Sequence, residues 1–189
     1  PELYKGYIAI GQMSDQPRSE QLAYEYMLSL CERENNQTLL EQLTDNPFGT
    51  DSYFNSGVRD KAMHALGVGT TRNMKSVITG IFFPSFRMTD YSLKERINIW
   101  RGKSFVNQTM QDIFKFNAFE TVKSVNVPVY FFAGKYDYTC CYELQKEYFD
   151  FLEAPEKYFY TFENSAHSPL FEEPQKAEEM IKFIKGRTE

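Results

Sequence analysis

VPVYFFAGKYDY at residues 127–138 and KYFYTFENSAH at residues 157–167 decide the fold. Val127 to Ala133 is a continuous apolar and aromatic run with Pro128 near its start. That is the composition of a strand buried on both faces, because proline is tolerated where a strand begins. Gly134 ends the run, and Asp137 follows in a G-x-x-D spacing. Lys157 to Phe162 is a second strand-like run, and Asn164-Ser165-Ala166-His167 follows it. Between the two, Leu144, Tyr148, Phe149 and Leu152 recur on one face at helical spacing, Thr139 stands where an N-cap would, and Ala154-Pro155 breaks the segment. Strand, helix and strand make a βαβ unit. A right-handed crossover makes the strands parallel and brings their C-terminal ends to one rim. Asp137 and His167 are therefore expected to emerge together, where open α/β sheets carry their sites. An oriented base requires a carboxylate oxygen about 2.6–3.2 Å from a ring nitrogen, and this spacing is expected for the pair.

Working outward, an acid after one strand and a histidine after the next form the last part of the chain order Ser…Asp…His used by α/β-hydrolases. The runs VPVYFFAGKYDY and APEKYFYTFENSAHSPLFEEP resemble the C-terminal part of an α/β-hydrolase, most closely the proline-iminopeptidase branch. PELYKGYIAIGQ, residues 1–12, resembles the strand that follows that family's nucleophile helix. The resemblance implies a partial α/β-hydrolase parallel sheet with an inserted, mostly helical lid. It gives Asp137 the part of the acid that orients the histidine, and His167 the part of the general base. The family's N-terminal half has no counterpart in these 189 residues.

Three segments follow. Residues 1–13 supply a strand of the core, 14–120 the insertion, and 121–189 the C-terminal part of the core. Tyr7 to Ile10 is a short apolar run ended by Gly11. Beyond it the chain turns polar and helical in period. Leu22, Ala23, Tyr26, Met27 and Leu30 form one stripe behind a cap at Ser19, and Asn35-Asn36 is the stop. Shorter helices are expected over Thr38 to Leu43 and over Val58 to Leu66, the latter stopped by Gly67-Val68-Gly69. Further helical pieces are expected at Lys75 to Phe82, Leu93 to Trp100 and Val106 to Phe114. A simple crossover needs far fewer residues than this, so an insertion is the natural reading. In the resembled family a lid over the active site occupies this place. After His167, Glu172-Glu173 and Pro174 open a final helix whose apolar face is Ala177, Met180, Ile181 and Ile184, with the two acids expected to favour the helix dipole.

Composition excludes other classes. A net charge of −5 and a pI near 5.2 do not offer the basic surface that nucleic acid requires. No apolar run approaches the ~20 residues of a membrane-spanning helix, and no signal-peptide pattern opens the chain. Three cysteines, two of them adjacent at Cys140 and Cys141, lack metal-ligand spacing and fit a reducing cytoplasm. No cofactor or metal is expected.

The chemistry is incomplete within this chain. A histidine base acts on a serine, and a nucleophile elbow would read G-x-S-x-G at a strand-to-helix turn. No such string occurs. Gly102-Lys103-Ser104-Phe105-Val106 comes nearest, but it lacks the final glycine and follows no strand. Ser165 and Ser168 beside the histidine read as loop-bonding hydroxyls, His64 as a surface or packing residue, and Cys31 as a buried apolar position. Cys140-Cys141 reads as a helix-start pair. Glu20, Glu25, Glu32, Glu34 and Glu95 lie in the insertion, where the peptidase branch receives a substrate's amino group, but they read first as solvent-facing helix charges. Singly, an aspartate after a strand is an ordinary turn residue and a lone histidine a structural one. Their joint placement carries the assignment. The expected function is that of a C-terminal fragment of a serine hydrolase acting on a small peptide, with the nucleophile upstream and this chain inactive alone. An esterase or amidase of the same fold and a non-catalytic binding module are the alternatives. The expected partner is the missing N-terminal half, or a second copy joined through an exposed sheet edge.

Overall fold

The structure, a computed structural model, describes residues 3–109, 113 and 115–188. Three parallel strands, β1 (Tyr7–Ile10), β2 (Val129–Gly134) and β3 (Lys157–Phe162), form a sheet in the order β1-β2-β3. Tyr7 pairs with Val129 and Ile10 with Phe132; Val129 pairs with Lys157 and Gly134 with Phe162. Every residue of β2 is buried, as its unbroken apolar run requires of a central strand covered on both faces. Side chains alternate across it. Val129 and Phe131 pack with Ala9, Tyr148 and Leu152 on one face, while Tyr130 and Phe132 pack with Phe162, Ala177 and Ile184 on the other.

The crossover helix α8 (Tyr142–Phe151) buries Leu144 and Tyr148 against the sheet, and Leu152 caps it. It starts later than Thr139. Residues 137–141 instead form a turn in which Asp137 Oδ1 accepts from the Thr139 and Cys140 amides, each at 2.9 Å. The other face is covered by α10 (Pro174–Thr188), preceded by the turn α9 (Pro169–Glu172). Ala177 and Ile184 are buried as expected. Ile181, by contrast, is exposed beside a surface groove of about 370 Å³ lined by Lys5, Gly6, Ile8, Ile184 and Lys185.

Among the described residues, seven α-helical segments lie between β1 and β2: α1 (Gln16–Arg33), α2 (Gln37–Asp45), α3 (Asp51–Asn55), α4 (Val58–Ala65), α5 (Phe83–Ser85), α6 (Leu93–Thr109) and α7 (Ala118–Thr121). The chain leaves and rejoins the sheet at adjacent points. Gln16 N–H donates to Phe116 O and Ala118 N–H to Ser14 O. Helices α1 to α4 share a core of Ala23, Met27, Cys31, Leu39, Leu43, Tyr53, Met63 and Val68, separate from the two cores of the sheet. The cap of α1 is Asp15, not Ser19: Asp15 Oδ1 accepts from Arg18 N–H at 3.1 Å, and Pro17 suits the first turn. Asn35 takes a positive φ of 54° to end α1, and Asn36 then caps α2.

The segment after α4 departs more from expectation. Helix is expected from Lys75, but the chain forms a π-helical turn at Ile78–Phe82 running into α5. The pieces expected at Leu93 to Trp100 and Val106 onward are one helix, α6, and the expected end at Phe114 lies outside the described residues. Gly102–Val106 is therefore inside a helix and not at a strand-to-helix turn. Ile78, Ile81, Phe83, Leu93, Ile97, Ile99 and Phe105 are all exposed, which leaves α5 and α6 with an apolar surface. Among the described residues no helix is long and apolar enough to cross a membrane.

Candidate active site

The turn after β2 and the loop after β3 meet at the C-terminal rim of the sheet. His167 Nδ1 lies 2.9 Å from Asp137 Oδ2. Asp137 is fully buried, and four groups surround its carboxylate. Oδ1 takes the two turn amides already described, and Oδ2 takes His167 and the side-chain amide of Gln145 at 3.0 Å. Each of these donors offsets part of the cost of burying the carboxylate. The His167 side chain remains about one-third exposed (31%), and its Nε2 has no hydrogen-bond partner among the described residues. Burial works against a proton on His167. The charge and hydrogen bond of Asp137 outweigh it, with Glu172 adding to the effect and Arg59 opposing it, so the imidazole lies above its ordinary value. The pair is thus an imidazole with one nitrogen oriented by a buried acid and the other open.

Two glycines make the approach close. A Cβ on Gly134 would overlap the Ala166 carbonyl, and one on Gly11, whose φ is +56°, would stand 2.8 Å from His167 Cε1. Only a residue without a side chain lets the ends of β1 and β2 come so near the histidine loop. The insertion contributes as well. Gly67 takes a positive φ to end α4, and Val68 N–H bonds back to Met63 O in a Schellman turn. Val68 O then accepts from Tyr138 N–H at 3.1 Å, and Gly69 O from His167 N–H at 3.2 Å. One short strap therefore touches both the aspartate turn and the histidine loop.

The acids after His167 do other work than the expected helix-dipole effect. Glu172 accepts from the Ala166 amide through one oxygen and from the Arg72 amide through the other. Glu173 accepts from the Asn164 amide and the Ser165 hydroxyl. They satisfy the backbone amides of Arg72, Asn164 and Ala166, the last of them buried. Ser165 is buried and bonded to Glu173, as a loop hydroxyl. Cys31 is buried. Burial pushes the Cys140 and Cys141 thiols up, the latter to about 12, so neither is a thiolate at neutral pH.

Of the glutamates Glu20, Glu25, Glu32, Glu34 and Glu95, the last four are exposed as expected. Glu20 is not. It is buried, 1% exposed, and paired with both Arg59 Nε at 2.6 Å and Arg59 Nη2 at 2.5 Å, with Gln16 Nε2 also donating to it. A charge at such a position persists only when paired, and Arg59 supplies the pair. His64 is buried too. Burial holds it below its ordinary value, and its Nδ1 has no hydrogen-bond partner among the described residues. Sequence reasoning did not find Gln145, Glu172 or Glu173 as parts of the site. Gln145 alone left a signal, as an amide beside the apolar stripe of Leu144, Tyr148 and Leu152. Among the described residues no group of three or more His, Cys, Asp or Glu is placed to hold a metal ion.

No protein-family model matches the chain. Among curated proteins it is similar to the Probable aminopeptidase YbaC of Bacillus subtilis (strain 168), with 30% identity over 177 residues. That alignment spans 92% of this chain and 55% of the relative, so the chain spans about half the length of the protein it matches.

Proposed function

We propose that this chain carries the Asp–His part of a serine-type hydrolase of α/β-hydrolase architecture, acting in the manner of a proline iminopeptidase on the N-terminal residue of small peptides. The nucleophilic serine belongs to sequence outside these 189 residues. The observation that carries this reading is the 2.9 Å contact between His167 Nδ1 and the buried Asp137 carboxylate, with Nε2 left open. In the reaction, Nε2 takes the serine proton as the hydroxyl attacks the scissile carbonyl. Asp137 holds the tautomer and stabilises the imidazolium, and the proton is then given to the leaving amine. Residues 14–120 act as the lid, with the Val68–Gly69 strap fixing it to the rim. The relative's name favours peptides over esters as substrates. The open side of β1 takes up a strand of the missing part or, without it, a second copy. Three free cysteines suit a reducing compartment, and we assign the cytoplasm.

Amino-acid arylamides and activated esters, offered to the chain alone and to a longer polypeptide that supplies the upstream segment, test the reading. The chain alone should be inactive and the longer protein active on arylamides. In the longer protein His167→Ala should lower kcat at least about 10³-fold, because serine and histidine act as a unit. Turnover by the isolated chain that survives His167→Ala would sink the proposal. Activity confined to esters would move it to an esterase.

A further inference from the structure

Gln145 is fully buried on α8, and its carboxamide makes three hydrogen bonds at once. Nε2 donates to Asp137 Oδ2 at 3.0 Å and to Cys140 O at 2.6 Å, and Oε1 accepts from Gln12 N–H at 3.0 Å. These partners fix the amide's orientation, since both acceptors must face its nitrogen. The amide therefore joins the loop after β1 to the aspartate turn, and it lands on the same oxygen that His167 uses. Oδ1 is held independently by two backbone amides, so the carboxylate cannot rotate freely about that contact.

We propose that Gln145 is a positioning residue for the Asp137–His167 pair, its amide sharing Oδ2 with the imidazole and so limiting how tightly His167 holds its proton. A donor on a carboxylate oxygen stabilises the anion and draws charge from the competing bond. Without that donor, Oδ2 has only the imidazole to offset its charge, and the imidazolium becomes the more favoured state. The charged groups facing His167 besides Asp137 are Arg59 from α4 and Glu172 from α9, and among the described residues neither is hydrogen-bonded to Gln145. The inference takes its catalytic meaning from the proposed function, but the proton it concerns can be read without turnover.

The chain has two histidines, so His64→Gln leaves a single imidazole signal to follow by NMR. In that background Gln145→Met, of similar length but without hydrogen-bonding groups, should raise the His167 pKa by about half a unit or more, a small part of what a hydrogen bond to a charge can contribute. An unchanged or lowered value in the folded variant overturns the proposal. If Gln145→Met does not fold, the wild-type carboxamide protons decide. Their shifts should follow the titration of His167, and shifts indifferent to it would equally overturn the proposal. Failure to hydrolyse any substrate in the longer protein would refute the proposed function and leave this result standing.

Discussion

His167 and His64 are driven in opposite directions by their surroundings, and the difference is visible in stability against pH. For His167 burial lowers proton affinity, but Asp137 overrides it and the folded value lies above the unfolded one. Its contribution is therefore complete below about pH 6.5, the ordinary histidine value, and is lost as pH rises through the folded value. For His64 burial dominates and the folded value is depressed. Its contribution is complete above about pH 6.5 and is lost as pH falls toward the folded value. Urea unfolding between pH 5 and 9 should show a loss of stability on the alkaline side that His167→Gln abolishes, and a loss on the acid side that His64→Gln reduces. Identical profiles for wild type and both variants would contradict these assignments.

At the scale of elements, α1 and α4 are tied by the Glu20–Arg59 pair, which stands behind the aspartate turn. Gln16 and Ser19 of α1 bond Thr139 O, and the Ser19 hydroxyl also accepts from Cys141 N–H. Removing one partner leaves a buried charge without compensation, so Glu20→Ala should cost about 3–5 kcal/mol. Replacing both, as Glu20→Met with Arg59→Met, should cost clearly less, because no charge remains to desolvate. Thermal unfolding of the single and double variants checks this ordering. A double variant less stable than Glu20→Ala would show that the pair contributes more than mutual neutralisation.

For the whole molecule the open side of β1 matters most. β1 hydrogen-bonds along one side to β2, and no strand among the described residues pairs with its other side. Leu3, Tyr4, Tyr7 and Ile10 are exposed near it, and Ile181 and Phe183 of α10 are exposed as well. Unpaired backbone groups beside apolar side chains favour adding a further strand. The purified chain should therefore scatter light as a dimer or larger, or retain a second polypeptide visible by mass spectrometry under denaturing conditions. Ile10→Lys should reduce the association. A stable monomer of one polypeptide would refute this prediction and favour a self-sufficient binding module.

Local pattern was enough to read β2, α8, β3 and the emergence of Asp137 and His167 at neighbouring strand ends, because an unbroken apolar run, a helical stripe and a right-handed crossover each follow from short-range chemistry. The stop at Asn35-Asn36, the glycine end of α4 and the start of α10 at Pro174 were legible for the same reason. The cap at Asp15 instead of Ser19, the bonding of Glu172 and Glu173 and the burial of Glu20 were not. Ser19, Glu172 and Glu20 each take a partner distant in sequence: Cys141, Arg72 and Arg59 in turn. The sequence by itself determined which segments are strands and that Asp137 and His167 follow the ends of β2 and β3. Only the tertiary structure decided which polar groups are buried, since a buried charge or amide is tolerated only where folding brings it a partner.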